Sequence, residues 1–270
     1  MNQNIIEAKQ ARTEGRLFTP TWTPFNSVAI RLVDEIIAAI GITETRTSIK
    51  LRYQTVVASL LVQTAHIALN TKPILSVPKT AKVYDHYDVG LTVISKVING
   101  LEALGHLTPI PISGKRHWYE DDKGKTKFIG IVSQYNVSQS FIDLDGFWGA
   151  TWIETHRPTV LVSSPETEAA RQVRKARGYK AKTLSQSVMK KTFKQDYATI
   201  LSGVNLLGSY WQQHPLRLPP VYDEHMTYAA SAYRRYHNGK INCGGRYYGA
   251  WTSISGDQRL LCTIDGEPVI

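Results

Sequence analysis

The most constraining feature of the sequence is a stretch in which helical periodicity gives way to a strand across one glycine. In GLTVISKVINGLEALGHLTPIPISG, apolar residues recur at three- and four-residue spacing, which predicts a helix from about Thr92 to Leu104 with one buried face. Gly105 is expected to end this helix, and a strand over 106–113 to follow directly. The predicted buried positions are Leu91, Ile94, Ile98, Leu101 and Leu104.

The neighbouring segments give this stretch a recognisable context. Helices are predicted over 28–40, capped by Asn26 or Ser27 and ended by Gly41, and from about 48 to 70. Downstream, the polar loop KRHWYEDDKGKTK leads into a second strand, FIGIVSQYNV. Three helices, a strand, a basic loop and a strand follow the order of a winged helix-turn-helix, whose third helix enters the DNA major groove. The alternative is a helix packed on a two-stranded ribbon without a nucleic-acid ligand.

Charge favours a polyanionic partner. The chain has 32 Lys and Arg against 22 Asp and Glu, a net charge of +10. From Arg171 to Lys194 there are nine basic residues and no acidic one, so phosphate contacts there would make binding fall steeply with salt. The competing interpretation of this run is a solvated linker between domains.

Two groups of side chains are expected to contact DNA. The outward side of the third helix and the wing supply the first group, although Glu120, Asp121 and Asp122 would repel DNA from the tip of the wing. The first group is Thr92, Ser95, Lys96, Asn99, Lys115, Arg116, His117, Lys123, Lys125 and Lys127. The second group is Arg171, Arg174, Lys175, Arg177, Lys180 and Lys182 from the basic run, of which Arg171, Arg174 and Lys175 would share one helix side.

These patterns predict an α+β chain divided into five segments. An N-terminal arm (1–27) precedes the winged helix-turn-helix domain (28–140), which is followed by a transition segment with a strand (141–170). A basic helical region (171–218) leads into a small β-rich segment (219–270), in which Asn238-Gly239 and Asp265-Gly266 are hairpin turn signals.

The C-terminal sequence RYHNGKINCGGRYYGAWTSIS…RLLCTIDGEPVI, within Tyr233 to Ile270, resembles phage- and plasmid-borne replication proteins with a winged helix and a family A polymerase-like palm. In that family, a Gly-Gly-Arg-aromatic-aromatic-Gly stretch precedes a strand bearing an aspartate that would hold Mg²⁺ for two-metal phosphoryl transfer. The resemblance implies that Arg246 contacts a nucleic-acid backbone or a nucleotide phosphate. The alternative role of Arg246 is a structural pairing with a hairpin carboxylate.

The chain ends at Ile270, where the aspartate-bearing strand would begin. We therefore expect no catalytic residue, no cofactor and no metal site in these residues, with Mg²⁺ entering only through a downstream palm. Asp265 precedes a glycine in an expected turn and is not assigned as a metal ligand. Whether the chain is complete or a leading part of a longer protein stays open at this point.

The remaining features limit the setting in which the protein works. No stretch approaches the ~20 apolar residues of a membrane helix, no signal peptide is expected, and two cysteines indicate a reduced, cytoplasmic protein.

The resulting hypothesis is a DNA-binding protein of a mobile element, acting in replication or its initiation, with duplex DNA as partner and single strands as the second choice. The alternatives are an N-terminal fragment of a polymerase or primase-like enzyme and a protein-interaction winged helix.

Overall fold

The fold is α+β, as the sequence predicts. The structure is a computed structural model that describes residues 16–68, 74–84, 87–111, 113–114, 116–120, 125–154, 159–176, 181–218, 227–230, 232–252 and 254–268. The chain forms two compact units: the first comprises Met1–Ile153 with Pro220–Thr227, and the second comprises Glu154–Pro219 with Tyr228–Ile270. The predicted transition segment 141–170 is therefore divided between the two units. Among the described helices, none has the length and apolarity needed to cross a bilayer.

Three principal helices form the first unit: α1 (Ser27–Ala39), α2 (Thr47–Ala68) and, after the short α3 (Ala81–Tyr84), α4 (Leu91–Ala103). Asn26 caps α1, because its Oδ1 accepts a hydrogen bond from the Ala29 amide (2.9 Å). Gly41 and Gly105 follow α1 and α4 with φ of 72° and 74°, a left-handed conformation that favours glycine. Both predicted helix ends are thus confirmed.

A four-stranded sheet completes the first unit in the order β1-β3-β7-β4. Its strands are β1 (Arg16–Leu17), β3 (Ile74–Val77), β4 (Leu107–Pro109) and β7 (Ser133–Val137). β7 pairs antiparallel with both β3 and β4, and β1 pairs parallel with β3. A hairpin of β5 (Arg116–Glu120) and β6 (Thr126–Gly130) lies between β4 and β7 in the sequence.

Two strand predictions need correction. The strand expected over 106–113 is limited to β4, because Pro109 and Pro111 have no amide hydrogen with which to continue the ladder. The single strand expected over 128–137 is two strands, β6 and β7, separated at Ile131 and Val132.

Leu104, expected in the buried face of α4, is 44% exposed because it follows the last helical residue as the C-cap.

The described part of the predicted N-terminal arm belongs to the core of the first unit. Phe18 and Trp22 are buried with α2, and the Trp22 amide donates a hydrogen bond to Ser59 Oγ (2.9 Å) on that helix. This region includes β2 (Trp22–Pro24), and the same core receives the short α5 (Gln139–Ile142) and Trp152 at the start of β8 (Trp152–Glu154). Buried aromatic side chains therefore hold the segment against the helices.

The second unit contains a three-stranded sheet, ordered β13-β12-β9, and, in its described part, two helices longer than four residues. The strands are β9 (Thr159–Val162), β12 (Ala232–Tyr236) and β13 (Gly244–Gly249), with β12 parallel to β9 and antiparallel to β13. The helices are α6 (Glu168–Ala176) and α7 (Gln186–Gln213). Lys194, at φ 42° and ψ −115°, interrupts the helical conformation within α7.

Short strands and turns form the rest of the second unit. β10 (Leu216–Arg217) pairs with β11 (Thr227–Ala229) and β14 (Thr263–Ile264), which pairs with β15 (Glu267–Pro268). Asp265 and Gly266 have φ of 51° and 86° between β14 and β15, which confirms the predicted hairpin turn. A 3₁₀ helix (Ala250–Thr252) and α8 (Gly256–Arg259) connect β13 to β14.

Candidate nucleic-acid interface

The outward side of α4 carries the residues expected to contact DNA. Thr92, Lys96 and Asn99 are exposed and lie at i, i+4 and i+7, a spacing that places them in one stripe along the helix. Ser95 is only half-buried beside them. The opposite side holds Ile94, Val97, Ile98 and Leu101 in the core at 1% exposure or less. The predicted division of this helix into a buried and a polar face is confirmed.

A close helix contact fixes the position of α4. A Cβ added at Gly100 would lie 2.5 Å from the Cβ of Ile40, the C-cap of α1, so the two helices meet at a point where only glycine fits. The Gly105 amide donates to the Glu102 carbonyl and the His106 amide to the Leu101 carbonyl, which closes the other end. The polar stripe therefore stands on a rigid support.

Lys96 has a contact that no sequence pattern indicates. Its Nζ lies 5.8 Å from the ring centroid of Tyr53, on α2, an arrangement typical of a cation–π contact. Lys96 is exposed despite this contact, so its side chain lies within reach of a phosphate. Arg52 directly precedes Tyr53 on α2 and is an exposed cation that sequence reasoning did not select. Tyr53 and Lys96 are 43 positions apart in the sequence, so no local pattern signals their proximity.

The other cations at the start of α2 are already paired. Glu44 accepts two hydrogen bonds from the Arg46 guanidinium (3.0 Å each), and these bonds lower the pKa of Glu44 to about 2. Lys50 Nζ lies 3.1 Å from Asp34 Oδ2. Arg52 is therefore the better addition to the candidate interface.

The prediction of a polar loop over KRHWYEDDKGKTK is wrong for much of this segment, because β5 and the start of β6 lie within it and pair as a regular antiparallel hairpin. Its register pairs Arg116 with Gly130 and Glu120 with Thr126. His117 and Lys127 lie on its two strands, and Lys125 is exposed just before β6. Lys115 and Lys123 lie outside the described residues.

The basic run forms one side of a cleft in the second unit. Arg171, Arg174 and Lys175 on α6 line this cleft of about 850 Å³, together with Arg235 and His237. The predicted common side of the first three is thus confirmed. Lys182 is exposed, whereas Arg177 and Lys180 lie outside the described residues.

Two glutamates just before the basic run reduce its available charge. The Arg174 guanidinium donates two hydrogen bonds to Glu166, at 2.9 and 2.7 Å, which hold the pKa of that carboxyl below its usual value. Arg171 Nη1 lies 3.4 Å from Glu168 Oε2. Counting nine uncompensated cations in the sequence therefore overstates the local positive charge, because the neutralising groups lie immediately outside the counted run.

Arg246 is exposed on β13, directly opposite Arg235 on β12. Among the described residues no carboxylate pairs with Arg246, so the alternative of a hairpin ion pair finds no support there. Gly244 and Gly245 precede it with φ of 99° and 85°, next to a register shift between Arg235 and Tyr236. Arg246 thus presents its charge beside a second arginine.

Comparisons of the chain with protein-family models, curated proteins and solved structures give no significant match.

Proposed function

We propose that the first unit is a winged helix that binds duplex DNA, with α4 in the major groove and the β5–β6 hairpin as the wing. In support, α3 and α4 follow one another as the helix pair of a helix-turn-helix does, and β3, β7 and β4 form an antiparallel sheet behind them. The hairpin leaves this sheet between β4 and β7, the position of a wing.

One observation carries the proposal: the polar stripe of α4 is exposed, whereas Ile94, Val97, Ile98 and Leu101 on the opposite side are deeply buried. A helix that only packs on a ribbon and binds no nucleic acid does not require Lys96 and Asn99 to be exposed together on its outer side. Asparagine can bond an adenine edge in two places, and lysine can bond guanine or phosphate. Thr92 adds a hydroxyl group to the same stripe. These groups suit base edges in a groove.

The resemblance of Tyr233 to Ile270 to replication proteins extends the proposal to a biological role. We place this DNA binding in the replication of a mobile element, or in its initiation. Duplex recognition by the first unit would then select the site at which other components act.

Selection from a randomised duplex library, followed by fluorescence anisotropy on the enriched and scrambled duplexes at several salt concentrations, tests this function. Replacing Lys96 and Asn99 together by alanine should weaken binding to the enriched duplex about 5- to 100-fold, with a smaller effect on the scrambled one. The reason is that base contacts discriminate sequences while phosphate contacts do not.

Arg31→Gln supplies the matched control, because it removes an exposed cation of the same unit that already lies 3.8 Å from Glu35 and 3.7 Å from Asp145. Its binding should equal that of the unaltered protein. No enrichment from the library, together with no duplex binding at low salt, would refute the proposed function and favour a protein-interaction domain.

A further inference from the structure

The β9–β12–β13 sheet of the second unit has two faces of different character. Helix α7 covers one of them, where Val160, Val162 and Tyr236 are buried with Met189, Tyr197 and Val204 of the helix. Arg234 lies on this covered face, because its guanidinium carbon is 5.4 and 5.0 Å from the ring centroids of Tyr236 and Tyr247. The Arg234 side chain is thereby occupied with internal packing.

Residues alternate between the faces of a strand, so the neighbours of these residues point the other way. On this second face the register places Tyr233 opposite Tyr248 and Arg235 opposite Arg246. All four side chains remain half-buried or exposed. The sheet therefore presents two tyrosines and two arginines on the face that α7 does not cover.

The two tyrosines stack on each other. Their ring centroids are 5.4 Å apart and their planes are inclined by only 15°. Tyr233 also lines the cleft beside α6. Both side chains are half-buried, and an outer face of the stacked pair provides a surface on which an unpaired base can stack. Such stacking tolerates any base because every base has a π-face.

The arginine pair indicates the charge of the ligand. Like charges placed directly opposite on neighbouring strands destabilise a sheet, so an anion between Arg235 and Arg246 would relieve repulsion. In the described part of the chain, neither of these arginines nor Lys175 forms an ion pair with a carboxylate. Lys175 faces the same cleft from α6 and adds a third cation, although Glu166 and Glu168, which pair with Arg174 and Arg171, also line this cleft.

From this arrangement we propose that the open sheet face and the adjoining cleft bind single-stranded nucleic acid. Tyr233 and Tyr248 stack on bases, and Arg235, Arg246 and Lys175 contact the phosphates. A duplex would offer the tyrosines no exposed base face, because its bases are stacked on one another, whereas a single strand offers both bases and phosphates. This site is independent of the proposed duplex binding by α4.

The test uses the whole chain and two fluorescein-labelled probes of about 20 nucleotides, oligo(dT) and oligo(rU), titrated by anisotropy at several salt concentrations. Tyr248→Leu should weaken binding about 5- to 100-fold, whereas Tyr248→Phe, which keeps the ring, should bind like the unaltered protein. The two probes distinguish DNA from RNA as the source of the strand, and binding of either supports the site.

Surface charges give a second, independent readout. The double variant Arg235→Gln/Arg246→Gln should reduce the slope of log affinity against log salt by about 1.4, since each phosphate contact on a single strand contributes about 0.7. Lys190→Gln/Lys191→Gln removes two exposed cations from α7 and should leave the slope unchanged. Arg246 is exposed, so Arg246→Gln alone keeps the test valid if a tyrosine variant fails to fold.

Three results would overturn the inference: no binding of either probe at low salt, equal binding by Tyr248→Leu and Tyr248→Phe, or an unchanged salt slope in the arginine variants. Lys96→Ala/Asn99→Ala separates this inference from the proposed function. That variant should bind both single-stranded probes like the unaltered protein. If it loses this binding while the tyrosine and arginine variants keep it, the single-strand site on the sheet is wrong and duplex binding by α4 stands.

Discussion

Replacing Gly100 by alanine tests whether close packing against α1 positions α4. Alanine in a helix interior normally stabilises a protein by about 1 kcal/mol relative to glycine. At this site, the added Cβ would lie 2.5 Å from Ile40 Cβ and 2.9 Å from Ile40 Cγ2, whereas carbon atoms prefer separations of about 3.5–4.0 Å. The Ile40 Cβ is fixed to the backbone, so the helices must separate by about 1 Å.

Overpacking of this kind costs about 1–3 kcal/mol, and a clash with a backbone-attached atom places Gly100→Ala near the upper end. After the gain in helix propensity, we expect a net loss of about 1–2 kcal/mol in the free energy of unfolding. For a unit of roughly 150 residues, this corresponds to a decrease in Tm of about 2–8 °C.

Urea and thermal unfolding, followed by circular dichroism and by tryptophan fluorescence, measure this change. Asn99→Ala is the matched control, since position 99 is adjacent on α4 but exposed, and it should leave stability unchanged or raise it by up to about 0.5 kcal/mol. If Gly100→Ala proves as stable as Asn99→Ala, the close approach of α1 and α4 is wrong, and with it the argument that the polar stripe has a rigid support.

Three further substitutions test other contacts. Asn26→Ala should reduce the free energy of unfolding by about 2–3 kcal/mol in urea titrations, because it removes the α1 cap and the Nδ2 hydrogen bonds to Gly149 and Thr151. Asn26→Asp, which keeps the capping oxygen, should lose about half as much. Burial lowers the pKa of His106, so the unfolded chain binds a proton at a higher pH than the folded chain does, and stability falls as the pH decreases below about 6.5. His106→Asn should therefore make the Tm depend less on pH between about pH 7.5 and 5.5. A pH dependence as steep as that of the unaltered protein would contradict this assignment. Glu166→Gln should leave the Arg174 charge less compensated, so the slope of log affinity against log salt for oligo(dT), measured by anisotropy, should become steeper by up to about 0.7. An unchanged slope would show that Arg174 does not contact the single-stranded DNA.

Local signals account for the parts of the fold that the sequence predicted well. Asn26, Gly41 and Gly105 mark helix ends because capping depends on one side chain or on one left-handed backbone conformation. Asp265-Gly266 predicts its hairpin for the same reason. Each of these features is decided within about five residues, so no knowledge of the rest of the chain is needed.

Strand β3 shows where such reasoning stops. Its residues Ile74–Val77 lie between Pro73 and Pro78, and no strand is predicted there from the sequence. Its pairing with β7 joins Leu75 to Tyr135, which are 60 positions apart. A four-residue apolar segment has too little periodicity to identify a strand, so only the distant partner makes this one a member of the sheet.

Charge shows the same limit at the candidate sites. The uninterrupted run from Arg171 to Lys194 predicted an unusually positive surface, but the groups that neutralise Arg174 and Arg171 are Glu166 and Glu168, which precede the run. Conversely, Arg235 and Arg246 are separated in the sequence and no local pattern pairs them, yet the β12–β13 register sets them opposite each other. Affinity for a phosphate depends on charges that lack a partner, and pairing is a property of the folded chain. Counting cations along a sequence therefore locates a basic region, but strand register and side-chain pairing determine which of its cations can bind.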